Sequence, residues 1–152
     1  SEFANMNLFP YLGIENPQWL NGYLDINDGS ASLELRLRDM IKLGQLYLQD
    51  GWSGEEQILS SEWIDEATSM QIETMSAIPG YGYLWWVNSI GSKDVFSALG
   101  YAGQYIILDN SRKLAIAITS DEASNSNYRQ KISSIVFDEL ISIFPLTHAS
   151  NN

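Results

Sequence analysis

The residues of this chain best placed to do chemistry carry almost no side chain. In Phe96-Ser97-Ala98-Leu99-Gly100-Tyr101-Ala102-Gly103-Gln104, two glycines three apart and several small neighbours precede an unbroken apolar run from Tyr105 to Leu108. Glycine in an extended segment marks either a bulge or a point where another group comes close to the backbone. What such a stretch offers is main chain: N–H and C=O groups that can hold a ligand and polarise it. A bulge between two core strands needs no ligand, so both readings stand at this point.

Side-chain chemistry is sparse by comparison. The single histidine, His148, sits in the tail "THASNN", so a Ser-His-Asp arrangement has no base on a rigid element. With no cysteine there is no thiolate nucleophile, no disulfide and no sulfur-ligated metal. The acid pairs Glu55-Glu56, Asp121-Glu122 and Asp138-Glu139 are sequence neighbours, which point to different sides of a helix or strand and read as solvated surface. "DINDG", Asp25 to Gly29, lacks the register of an EF-hand loop and reads as a turn. The glycines at 100 and 103 lack the G-x-G-x-x-G order of a phosphate cradle. No metal and no cofactor is expected.

The totals narrow the partners. At 152 residues and 45% hydrophobic, the composition is globular. A net charge of −11 argues against nucleic acid as a partner. No run approaches the roughly 20 apolar residues of a membrane span. The opening "SEFANMNLFPYLGI" shows no signal-peptide pattern, and its lack of an initiator methionine is expected to reflect either a cut from a longer chain or a short non-native leader.

The elements that must position the small-residue stretch are readable around it. From Leu8 to Asn27, Pro10, Gly13, Pro17 and Gly22 punctuate a packed loop with Phe9, Tyr11 and Trp19 as anchors. Apolar spacing predicts a helix over 37–50, ended by Gly51 as a left-handed cap. "SSEWIDEATSM" predicts a shorter helix with a serine cap. From Tyr81, "YGYLWWVNS", "DVFSALGY", "QYIILDN" and "KLAIAITS" predict three or four short strands in an antiparallel meander, with turns at "IGSKD" and "DNSRK". Trp85 and Trp86 are successive strand residues, so both pack in the core or one faces a cleft. "NSNYRQKISSIVFDELISIF" carries Ile132, Ile135, Val136, Leu140, Ile143 and Phe144 on one helical face, and this helix is expected to cover the sheet until Pro145 stops it. The expected fold class is α+β. Residues 1–80 form a loop-rich and helical segment, 81–145 the meander with its C-terminal helix, and 146–152 a tail.

Four fragments together resemble a known family. "LFPYLGIENPQW", "RDMIKLGQLYLQDGWSGEEQILSSEWIDEA", "YGYLWWV" and "FSALGYAGQYIILDNSRKLAIAITS" are similar, in order, to the C-terminal portion of the serine β-lactamase-like, penicillin-recognising superfamily. The branch is that of class C β-lactamases, their esterase relatives and nylon-oligomer hydrolases, and the likeness runs from about Phe3 to Ser120. It implies a partial β-lactamase/transpeptidase-like fold and, in the intact protein, cleavage of a small-molecule ester or amide through an acyl-serine.

Of the family's three boxes, S-x-x-K and Y-x-N are absent. The residues three before Lys42, Lys93, Lys113 and Lys131 are Asp39, Ile90, Asn110 and Tyr128, and no tyrosine is followed two places later by asparagine or serine. No catalytic nucleophile or base is therefore assigned in this chain, which is expected to be inactive alone. The third box, K-T-G in the family, is matched by Ala98-Leu99-Gly100, with Tyr101-Ala102-Gly103 as the alternative register and Gln104 closing the stretch. The resemblance implies that the Tyr101 N–H is one of two oxyanion donors, the other belonging to the absent serine. Alanine at 98, where lactamases carry a cation, favours an ester or amide over a β-lactam. It also implies a sheet edge left uncovered, to be filled by a complementing N-terminal segment or by self-association into a homo-oligomer. The alternative function is a non-catalytic binding or interaction module that keeps the substrate strand.

Overall fold

The computed structural model describes residues 2–22, 25–76, 78–88 and 95–120. Its centre is a six-stranded antiparallel meander: β5 (Ile72–Glu73), β6 (Gly80–Tyr81), β7 (Trp86–Asn88), β8 (Val95–Leu99), β9 (Tyr105–Asp109) and β10 (Leu114–Ile118), each beside the next. Of the runs from Tyr81 onward expected to give three or four strands, the first holds the end of β6 and all of β7, and the others give β8, β9 and β10. The count of three or four falls short because β5 and β6 are two residues long each. A two-residue strand is too short to display the period-two alternation by which strands are read.

Upstream lie α1 (Glu2–Asn7), the pair β1 (Gln18–Trp19) and β2 (Leu33–Glu34), α2 (Leu37–Leu48), the pair β3 (Trp52–Ser53) and β4 (Glu56–Gln57), and α3 (Ser61–Thr68). The loop anchors divide. Phe9 is buried with Trp19 at 6.5 Å, and the Trp19 indole N–H donates to the carbonyls of Asp28 and Ala31. Tyr11 instead leaves its ring exposed and contributes its carbonyl, which accepts from the Ser53 hydroxyl. "DINDG" is a turn in which the Asp28 carboxylate accepts from the Ser30 N–H and hydroxyl.

α2 ends two residues short of its expected span. Gly51, at φ +85°, closes it by donating its N–H to the Leu46 carbonyl. A Cβ at Gly51 would lie 1.9 Å from the Leu59 carbonyl oxygen, so only glycine fits this cap. The helix lays Met40 and Leu48 on one face of the sheet against Phe96, Ile106 and Leu108. Gly44 brings the backbones together: a Cβ there would sit 2.9 Å from Leu108 Cδ2. α3 starts where the serine cap is expected, with Ser60 Oγ accepting from the Trp63 N–H at 3.1 Å. The opposite sheet face gathers Val95, Tyr105 and Ile107 with Leu99, Ile116 and Ile118. The helix expected to cover the sheet, the turn at 90–94 and His148 lie outside the described residues.

Trp85 and Trp86 take opposite directions, as successive strand positions must. Trp85 is buried beside Tyr47 and Phe96, whereas Trp86 is half-buried with its ring edge-on to Tyr81 at 4.9 Å.

Candidate active site

The small-residue stretch begins inside the sheet and ends in a turn. Ala98 and Leu99 complete β8, opposite Ile106 and Tyr105 of β9. Ala98 packs toward the α2 side and Leu99 toward the other face. Gly100 continues the extended path at φ −95°, ψ 165°, and its N–H donates to the Gln104 carbonyl at 2.7 Å. Tyr101, Ala102 and Gly103 then form one turn of 3-10 helix, with Tyr101 73% exposed and Gly103 buried at φ +87°. Gln104 returns to extended geometry, and its side-chain amide donates to the Ser120 carbonyl.

Two expectations change here. The stretch is an extended ribbon only through Gly100, because a five-residue connection between neighbouring antiparallel strands must reverse direction. The ladder from Val95↔Asp109 to Leu99↔Tyr105 runs one-to-one, so it contains no bulge. Gly103 is needed for its positive φ. At Gly100 a Cβ would meet Gln104 Cβ at 3.2 Å, a tight contact to which Gln104 would have to yield by a few tenths of an ångström.

β8 outlasts its other neighbour. Its ladder with β7 runs Asn88↔Val95, Val87↔Phe96 and Trp86↔Ser97, and stops there. Because Gly100 turns its polar groups to β9, alternation sends those of Ala98 and Phe96 to β9 as well, and those of Val95, Ser97 and Leu99 to β7. The backbone N–H and C=O of Leu99 therefore face the β7 side two residues beyond the last rung, at Ser97. Residues 82–85, which could have extended that ladder, instead form the tip of the β6–β7 hairpin, where the Gly82 N–H donates to the Trp85 carbonyl.

α3 holds this tip in place, a feature that the sequence reading missed. The Tyr83 N–H donates to the Ala67 carbonyl, the Tyr83 ring stacks on Trp63 at 5.5 Å and 5°, and its hydroxyl donates to Glu66 Oε1. Gly82 is wedged so closely that a Cβ would lie 2.2 Å from the Ala67 carbonyl oxygen. Leu84 stands at φ +64° and 56% exposed, a conformation that favours glycine or asparagine. The available signal was Gly82 between two tyrosines ahead of a strand, a pattern of turn chemistry.

From Val95 to Leu108 there is no Asp, Glu, Lys, Arg or His. Within this stretch the dipoles on offer are those of the main chain and of the uncharged Ser97, Tyr101 and Gln104 side chains. Among the described residues no cluster of three or more metal-ligating side chains forms.

Neither a family model nor a curated protein matches the chain. Solved structures do. A protein assigned as a 6-aminohexanoate-dimer hydrolase from Bacillus anthracis superposes with a TM-score of 0.75 at 24% identity, over 93% of this chain and 38% of its own. One assigned as a β-lactamase from Bacteroides dorei gives 0.65 at 20% identity, over 92% and 50%. A penicillin-binding protein from Bacillus halodurans gives 0.62 at 11%, over 90% and 48%. The chain thus has a partial serine β-lactamase-like fold and spans half or less of the structures it matches.

Proposed function

We propose that this chain is the substrate-strand portion of a serine hydrolase built on the β-lactamase-like fold, and that the serine and its base come from polypeptide outside these 152 residues. The observation that carries the reading is the mismatch between β7 and β8. β8 runs past the last β7 rung, so Leu99 offers main-chain groups along an open edge, as a strand that takes substrate by β-augmentation would.

In this reading the acyl part of an ester or amide lies along Ala98 to Gly100. A serine oxygen attacks the substrate carbonyl carbon, the C–O or C–N bond to the leaving group breaks, and water then hydrolyses the acyl-serine. The Tyr101 N–H is proposed as one donor to the oxyanion. Removing one such donor costs about 3 to 4 kcal/mol of transition-state stabilisation in comparable sites. Ala98 brings no cation to a substrate carboxylate, which favours neutral esters or amides.

The test is to treat this chain and the intact parent polypeptide with a fluorophosphonate probe and p-nitrophenyl acetate. The parent should label and turn over while the chain alone does neither. Labelling of the isolated chain above a denatured control contradicts the missing nucleophile. An unlabelled, inactive parent moves the reading to a non-catalytic binding module.

A further inference from the structure

The tip of the β6–β7 hairpin holds a conformation that its own strands do not dictate. The bond from the Gly82 N–H to the Trp85 carbonyl closes the hairpin, so Tyr83 and Leu84 form a two-residue loop. Such loops fit the twist of their strands when the first residue, or both, takes a positive φ. Here the second residue, Leu84, does so at +64° and Tyr83 does not. A leucine is strained in that region of backbone space, so what holds the loop must lie outside it.

α3 supplies the hold. Ile64 and Ala67 are buried and anchor that helix in the core. From it the Ala67 carbonyl accepts the Tyr83 N–H, the Trp63 ring stacks on that of Tyr83, and Glu66 Oε1 accepts the Tyr83 hydroxyl. These contacts converge on one residue.

Register shows what the hold prevents. The main-chain groups of Trp86 turn toward Ser97 of β8, and those of Trp85 turn back toward Gly82. By alternation Leu84 is the next residue whose N–H and C=O would aim at β8 if it were extended, and its partner there would be Leu99. At positive φ it leaves the line of β7, and that rung does not form.

We infer that Tyr83 is a positioning residue for the substrate strand: latched to α3, it keeps Leu84 from taking up the main-chain groups of Leu99. The inference rests on the reading of β8 as the strand that receives substrate. Released from the latch, Leu84 relaxes to extended geometry, the Gly82–Trp85 closure opens, and Leu84 pairs with Leu99 as one more rung of the β7 ladder. That rung fills the place proposed for the acyl part of an ester or amide, so the chain carries its own competitor for the site. The residue most strained in the open tip is the one that would close it.

Amide hydrogen exchange in this chain reads the latch without any turnover. Tyr83→Ala should slow the Leu99 amide about tenfold, toward the rate of Ser97, whereas simple loosening of the fold would speed both. Trp63→Leu breaks the same stack from the α3 side and should do the same. The double variant Tyr83→Ala/Leu84→Gly should return Leu99 to fast exchange, because glycine holds a positive φ unaided. Leu99 exchange that is unchanged or faster in either single variant overturns the latch and leaves the substrate-strand reading in place. Slowing that Leu84→Gly fails to reverse overturns it as well. Protection of Leu99 equal to that of Ser97 in the unmodified chain defeats both the latch and the reading beneath it.

Discussion

The two halves of β8 contain the same kind of backbone in different company. Val95, Phe96 and Ser97 are buried between β7 on one side and β9 on the other, whereas Ala98 and Leu99 are half-buried and, among the described strands, paired only with β9. The first half shows what this strand needs to be core. The second shows main chain that reaches beyond the β7 ladder among the described strands.

The comparison is broken most severely by Phe96→Ala, which removes a ring packed on Trp85 and should cost about 3 to 5 kcal/mol. Leu99→Ala, in the open half, should cost about 1 to 2 kcal/mol, since part of that side chain already meets water. Urea denaturation of both variants measures the contrast, and equal losses would erase it. Gly82→Ala is next, at about 1 to 3 kcal/mol, because its methyl would strike the Ala67 and Ser69 carbonyls and lift the hairpin tip from α3. The Trp63–Tyr83 stack should loosen with it, visible as a change in near-ultraviolet circular dichroism.

Ser60→Ala removes the α3 cap that supports the same tip and should cost about 1 kcal/mol in thermal or chemical unfolding. The smallest effect lies far from β8. Hydrogen bonds from the Ser30 side chain and backbone hold the exposed Asp28 carboxyl below its usual 3.8. A depressed folded-state value stabilises the fold above the unfolded-state pKa, and this is lost as pH falls through the folded value. Ser30→Ala should bring the Asp28 titration, followed by NMR, back toward the ordinary carboxylate range.

Much of the architecture was legible in the sequence because it rests on local signals. Ser60 and Gly51 mark helix ends by chemistry that acts within one turn, and β7 to β10 show as β-branched and aromatic runs between turns. β5 and β6 were not, since their pairing is decided by neighbours rather than by their own two residues. In the candidate site the glycines were correctly taken as backbone positions, but their separate jobs depend on the long-range partners of the strand. Gly103 turns the chain, and Gly100 closes on Gln104 through its N–H. The broken β7 ladder, on which the functional reading rests, leaves no trace in the sequence of β8.

Amide hydrogen exchange along β8 tests that reading most directly. Ser97 and Leu99 aim their N–H groups the same way, the first at Trp86 and the second past the end of β7. The Leu99 amide should exchange at least about tenfold faster than that of Ser97, with Ala98, which faces β9, protected. Equal protection at Leu99 and Ser97 would mean that the edge is already filled, leaving no spare main chain for a substrate to join.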